Sequence, residues 1–177
     1  MKQYKKQFLI GVIILLLLII SCRNPTCPSI EVPNIIWTKI YGGREKDIGY
    51  SVQETTDGGY IIAGSTYSFG EGTPSYSNVY LIKTDENGDT LWTRTYGGIY
   101  YDEARSAQVT SDGGYIIAGF TYSFGAGDSD VYLIKTDANG DTLWSRTYGG
   151  RDTDYGWSVQ EISDNGYIIV GYTYSFN

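Results

Sequence analysis

The chain contains no histidine. That absence removes the imidazole on which His-based triads, His-ligated zinc and the commonest general-base chemistry depend, so catalytic readings start at a disadvantage. Proline is scarce too, with four residues in 177, and three of them (Pro25, Pro28, Pro33) fall between Arg23 and Asn34. After residue 34 no segment carries an apolar stripe at helical spacing. Basic residues are outnumbered, 13 against 20 acidic, for a formal charge of −7. Setting aside Lys2, Lys5 and Lys6 leaves 10 against 20, or −10. A surface of that sign repels phosphate backbones and excludes nucleic acid as a partner, while favouring solubility outside the cytoplasm. What the chain does have is 23 glycines and 18 tyrosines. That composition suits a turn-rich antiparallel sheet carrying aromatic side chains.

The N-terminus reads as an address. Lys2, Lys5 and Lys6 precede an unbroken apolar run from Phe8 to Ile20, followed by Ser21 and Cys22. A positive start, a short apolar stretch and a small residue at the cut have the layout of a secretory signal peptide over residues 1–21. The run is shorter than the roughly 20 apolar residues that a spanning helix needs, which disfavours a single anchoring helix. Ile19-Ile20-Ser21-Cys22 resembles the lipobox of bacterial lipoproteins, with Ile19 where that family most often has Leu. The resemblance implies cleavage before Cys22 and attachment of diacylglycerol to its sulfur. Several acyl chains on one residue would anchor stably, because each buried methylene contributes about 0.8 kcal/mol. Cys22 is then the lipid-attachment residue, and Cys27 is left as an odd thiol. Without lipidation, a small Cys22–Cys27 loop would be open to an oxidising compartment. Residues 22–34 read as a semi-extended tether.

From residue 35 the chain repeats itself. Trp37-Thr-Lys-Ile-Tyr-Gly-Gly43 recurs from Trp92 and from Trp144, at intervals of 55 and 52 residues. In the middle copy, strands are expected over Ala104 to Thr110, Tyr115 to Tyr122, Val131 to Thr136 and Thr142 to Tyr148. Ser111-Asp-Gly-Gly114 and Asp137-Ala-Asn-Gly-Asp141 provide the tight turns. The run Tyr115-Ile-Ile-Ala suggests a strand covered on both faces, and Gly64, Gly119 and Gly171 mark places where a neighbour approaches too closely for a Cβ. The difference in interval fits into one loop, Gly70 to Asn78 against Gly125 to Asp130.

A repeat of this length made of several short strands is the signature of a β-propeller blade. The phrases D-G-G-Y-I-I-A-G, Y-L-I-K-T-D-x-N-G-D and W-x-R-T-Y-G-G resemble the β-propeller repeats of exported bacterial and archaeal proteins, and the likeness covers Ile35 to Asn177. It implies an all-β fold, a partial β-propeller of four-stranded antiparallel blades over residues 35–177. The chain would supply a lone outer strand (Ile35 to Tyr41), two full blades and the first two strands of a third. Propellers close with roughly 4 to 8 blades. The break inside a strand favours a fragment of a longer reading frame over assembly of several copies, and either would complete the ring. A looser likeness to quinoprotein propellers rests on the order Asp137, Gly140, Trp144 and Asp85, Gly88, Trp92. It implies a packing role for Trp92 and Trp144, not a quinone cofactor.

Candidate chemistry is thin. Asp85-x-Asn87-x-Asp89 and Asp137-x-Asn139-x-Asp141 space oxygen ligands like the start of a calcium loop. The glycine stands fourth instead of sixth, and Tyr96 or Tyr148 replaces the glutamate, so hairpin turns are the better reading over weak calcium sites. Asp47, Asp102 and Asp154 recur at each repeat's entry and suit capping of backbone amides more than catalysis. Tyr67, Tyr76, Tyr100, Tyr101, Tyr122 and Tyr155 fall in or beside loops, where tyrosine offers stiff amphipathic contact area for a protein or carbohydrate ligand, or packs between blades. The expectation is therefore an exported lipoprotein, anchored to the cell membrane or outer membrane, with a binding or scaffolding module. No catalytic residue, metal ligand or cofactor is expected. The alternatives are a propeller enzyme, such as a glycan hydrolase or quinone-dependent oxidoreductase, and a structural surface-layer repeat protein.

Overall fold

The computed structural model describes residues 37 to 175. The expected signal peptide, Cys22, Cys27 and the tether lie outside them. Among the described residues there are ten strands and no helix: β1 (Asp47–Glu54), β2 (Tyr60–Thr66), β3 (Asn78–Thr84), β4 (Thr90–Tyr96), β5 (Asp102–Val109), β6 (Tyr115–Thr121), β7 (Asp130–Thr136), β8 (Thr142–Tyr148), β9 (Asp154–Glu161) and β10 (Tyr167–Thr173). They form three antiparallel meanders, β1-β2-β3-β4, β5-β6-β7-β8 and β9-β10. The strands expected in the middle repeat match β5 to β8 within two residues at each end.

Local chemistry explains the hairpins. The β1–β2 and β5–β6 turns place Gly58 and Gly113 at φ +83° and +82°, the left-handed region that costs glycine nothing. In the third unit Asn165 takes the same role at φ 63°, asparagine being among the residues that enter this region most readily. Each β3–β4-type turn is held by its first aspartate. Asp85 Oδ1 accepts the amides of Asn87 and Asp89 at 2.9 and 2.7 Å, and Asp137 Oδ1 accepts those of Asn139 and Asp141 at 2.9 Å each. The D-x-N-G-D segments are thus self-bonded hairpin turns.

Each first strand carries an irregularity against its partner, between Gly49 and Ser51, between Ala104 and Ser106, and opposite Val170 and Gly171. The second-strand glycine lies at that point. A Cβ on Gly64, Gly119 or Gly171 would run into the carbonyl oxygen of Ile48, Glu103 or Tyr155 respectively. The close approach read from the sequence is therefore backbone against backbone within one sheet.

The sheets stack in chain order, with β5 against β1 and β2, and β9 against β5 and β6. Ile61, Ala63, Val79 and Leu81 of the first sheet meet Ala104, Ala107, Tyr115, Ile117, Tyr132 and Ile134 of the second. Ile116, Ala118 and Leu133 meet Val159 and Ile169 of the third. This explains the uninterrupted apolar runs, since β2 and β6 are covered on both faces. On the third sheet the outward positions differ: Ile168 and Val170 are 55% and 62% exposed, where their counterparts Ile116 and Ala118 are fully buried.

The expected lone outer strand is corrected in part. Residues 35 and 36 lie outside the described chain, and Trp37 to Tyr41 forms no ladder. A strand needs a neighbour to exchange backbone hydrogen bonds, and no neighbouring strand of its own sheet is present among the described residues. The segment keeps its docking contacts nonetheless. Tyr41 donates its hydroxyl to the Gly88 carbonyl at 2.8 Å, as Tyr96 of β4 does to Gly140 at 2.6 Å. Trp37 meets Tyr60 edge-on at 5.9 Å between ring centroids, as Trp92 meets Tyr115. The packing role inferred for Trp92 and Trp144 is what these tryptophans perform, Trp144 lying against Tyr167 at the same distance.

Candidate binding surface

Three recurring devices brace the units and the joints between them, and each uses residues that the repeat copies. The entry aspartate is the first. Asp102 Oδ2 accepts the Gly98 amide at 2.8 Å and the Ser123 hydroxyl at 2.7 Å, fastening the Gly-Gly connection to the β6–β7 loop. Asp47 binds Gly43 and Ser68 in the same way, and Asp154 binds Gly150 and Ser175. Burial pushes the Asp102 carboxyl above the usual carboxylate range, against the lowering effect of these hydrogen bonds. These aspartates cap loops. The second device is a lysine bridge: Lys83, almost wholly buried, donates to Asp57 at 2.9 Å and to the Thr84 carbonyl at 2.8 Å, and Lys135 repeats this with Asp112 and Thr136. Hydrogen bonds from Thr55 and then Lys83 pull Asp57 down to about 2, and Thr110 and Lys135 do the same to Asp112.

The third device was not read from the sequence, although its letters were aligned there. Ser51 Oγ and Gln53 Oε1 accept the backbone amides of Ala107 and Val109 in the next sheet, at 3.2 and 2.8 Å. Ser106 and Gln108 treat Val159 and Glu161 identically, at 3.4 and 2.7 Å. Side chains of one unit thus satisfy the free amides along the edge strand of the next. Ser158 and Gln160 stand exposed at the same two positions of β9.

Against this regular scaffold, two positions of the first strand differ in every unit: one holds Ile48, Glu103 and Tyr155, and the other lies at the centre of the surface. The latter precedes the serine of each Ser-x-Gln motif, at the bulge, and holds Tyr50, Arg105 and Trp157. The three side chains converge. The Arg105 guanidinium lies over the Tyr50 ring at 4.0 Å, the Trp157 ring at 5.1 Å and the Phe120 ring at 5.3 Å. Glu103, another unrepeated residue, accepts from Arg105 Nη2 at 2.8 Å. Arg105 Nε is buried with no hydrogen-bond partner. Burial, followed by the Glu103 charge, raises the Tyr50 hydroxyl above the usual phenol range. Trp157 is 45% exposed and Tyr50 38%.

From this clamp a ribbon of rings runs across the loop ends. Tyr155 meets Phe120 edge-on at 4.1 Å, and its hydroxyl lies 2.6 Å from that of Tyr122. Burial, with the Tyr122 contact next, pushes the Tyr155 hydroxyl up to about 12. Tyr101 bridges Tyr122 and Tyr67 at 6.2 and 6.3 Å, and Tyr76 braces Tyr101 and Tyr100 at 4.9 and 5.6 Å. All six tyrosines singled out from the sequence are therefore joined in one cluster. Glu103, Arg105, Phe120, Trp157 and Tyr50 were missed there. The available signal was their divergence within otherwise copied phrases.

A cleft of about 560 Å³ lies elsewhere, between Leu133, Trp144, Arg146, Tyr148, Asn165 and Tyr167. One unit earlier the corresponding space is filled by Tyr132 and Ile134 of β7, so the cleft is a gap in unit-to-unit packing. Among the described residues no group of three or more Asp, Glu or Cys side chains is placed to hold a metal ion.

No protein-family model matches the chain. A stretch of 134 residues is 27% identical to a protein named regulatory protein FlaEY from Caulobacter vibrioides, covering 68% of this chain and 14% of that protein. The chain thus spans about one-seventh of that relative's length. Among solved structures, a protein of unknown function from Bacteroides caccae superposes with a TM-score of 0.48 at 12% identity, over 76% of this chain and 41% of that one.

Proposed function

We propose that the chain is an exported lipoprotein, tethered through Cys22, whose repeats form part of a β-propeller and present a ligand-binding surface at one end. The observation that carries the binding reading is the convergence of Tyr50, Arg105 and Trp157, a first-strand position where three copied units hold different large side chains and Arg105 stacks over the rings of both neighbours. Repeated residues serve the joints, and a site needs residues that differ from joint to joint. The propeller reading draws support from the identical Ser-x-Gln joints between successive sheets. The exposed Ser158 and Gln160 suit a further unit of the same kind, supplied by a longer chain or by another copy. The ligand is a protein or a carbohydrate, and the module acts as a binder or scaffold with no catalytic step of its own.

Two measurements test this. Metabolic labelling with an alkyne fatty acid should mark the chain, and Cys22→Ser should abolish the label and release the protein from the membrane fraction. The full chain in detergent should also bind isolated cell-envelope material, with the double variant Tyr101→Ala and Tyr122→Ala reducing the bound fraction while keeping the parent's melting transition. Unchanged retention on the envelope in that variant would remove the binding surface from the account.

A further inference from the structure

We propose that the clamp and its tyrosine ribbon bind a neutral oligosaccharide; the inference rests on the binding reading above and names its ligand class. The exposed rings of the cluster, Tyr50, Tyr101, Tyr122 and Trp157, each combine an apolar face with a hydroxyl or indole N–H. The C–H face of a pyranose ring packs on the electron-rich face of such a ring, and its hydroxyls need donors and acceptors beside that face. The hydroxyls of Tyr50 and Tyr101 and the indole N–H of Trp157, at the edges of these exposed rings, can supply them.

Charge selects against an acidic ligand. Arg105 is the one cation stacked in the cluster, and Glu103 already neutralises it across 2.8 Å with both side chains mostly buried, 21% and 12% exposed. The chain around it carries a net −7. A uronate would have to displace Glu103 and enter against that field. A neutral sugar meets neither penalty.

Rigidity favours a weakly gripping ligand of this kind. The rings brace one another edge to face over centroid distances from 4.1 Å (Phe120 with Tyr155) to 6.3 Å (Tyr67 with Tyr101). The Tyr122 and Tyr155 hydroxyls lock a further pair at 2.6 Å. Side chains already fixed lose little rotamer freedom on binding, so shallow stacking contacts suffice for affinity. The ribbon also runs across successive units from Tyr67 through Tyr101 and Tyr122 to Tyr155, which suits a polymer of repeated rings better than one monosaccharide.

The test is isothermal titration of the full chain in detergent with cellohexaose, maltohexaose, mannohexaose and an oligogalacturonate of equal length. At least one neutral hexasaccharide should bind, and the oligogalacturonate should bind no tighter. Trp157→Ala should weaken the binding by about tenfold or more, a loss of about 1.4 kcal/mol, whereas Trp157→Phe, which keeps a ring in place, should weaken it less. Both variants should keep the parent's melting transition. Failure of all three neutral sugars to bind, or binding indifferent to Trp157→Ala, overturns the inference. Peptides selected from a displayed library that lose affinity in Trp157→Ala would also overturn it while leaving the binding surface standing. Absence of both kinds of ligand would defeat the two together.

Discussion

Ser106 and Gln108 of β5 point into the next sheet and accept its amides, while Arg105, beside Ser106 in the chain, turns at the bulge to stack between rings from both neighbouring units. The first pair is spelled the same in every unit and the second position never is. Within one strand, copied residues bear the fold and uncopied ones form the surface for which we propose a recognition role. The comparison teaches that a repeat protein divides these tasks by sequence position, not by region of the molecule.

The sharpest way to break the scaffold half of that comparison is at the bulge itself. Gly119→Ala forces a Cβ into the Glu103 carbonyl, which neither strand can yield without losing its ladder. We expect a loss of at least about 4 kcal/mol in denaturant unfolding, the range reserved for backbone collisions and comparable defects. Next in size is the lysine bridge. Asp112→Asn leaves Lys135, only 3% exposed, without its carboxylate and should cost about 1–2 kcal/mol, moderated by the solvent that reaches Asp112. Because Asp57 and Asp112 are depressed from 3.8 to about 2, their contribution is fully present above about pH 4 and is lost as pH falls through about 2. Acid titration followed by tyrosine near-ultraviolet dichroism should show the parent outlasting Asp112→Asn in that window. Smaller still is Gln108→Ala, which strips one acceptor from the Glu161 amide and should cost about 1 kcal/mol. Its amide should also exchange hydrogen faster.

Much of this scaffold was legible beforehand because its signals are local. Asn-Gly and Asp-Gly turns, runs such as Tyr115-Ile-Ile-Ala and the recurrent Trp-x-Arg fix where strands begin, end and stack, and Thr142 to Tyr148 was placed to the residue. Gly64 and Gly119 were read correctly as points of close approach, though the sequence could not name the Ile48 and Glu103 carbonyls as the atoms concerned. The clamp was not legible. Its geometry depends on the bulge, which leaves Arg105 unpaired between Ala104 and Ser106, a departure from strict alternation that period-two reading hides. The likeness of the Trp37 phrase to β4 and β8 predicts a strand over Ile35 to Tyr41, of which Trp37 to Tyr41 is described and forms no ladder. A ladder, however, is a property of two segments, and its phrase carries information about only one.

Thermal unfolding of Trp92→Ala beside Trp157→Ala tests the division most directly. Trp92 packs on Tyr115 at a copied joint, and Trp157 stands 45% exposed at the uncopied position. Trp92→Ala should lose about 3 kcal/mol, lowering the melting temperature by about 6–12 °C for a chain of this size, and Trp157→Ala less than about 1 kcal/mol. Equal losses in the two variants would contradict the account, since Trp157 would then be holding the fold in the way that Trp92 does.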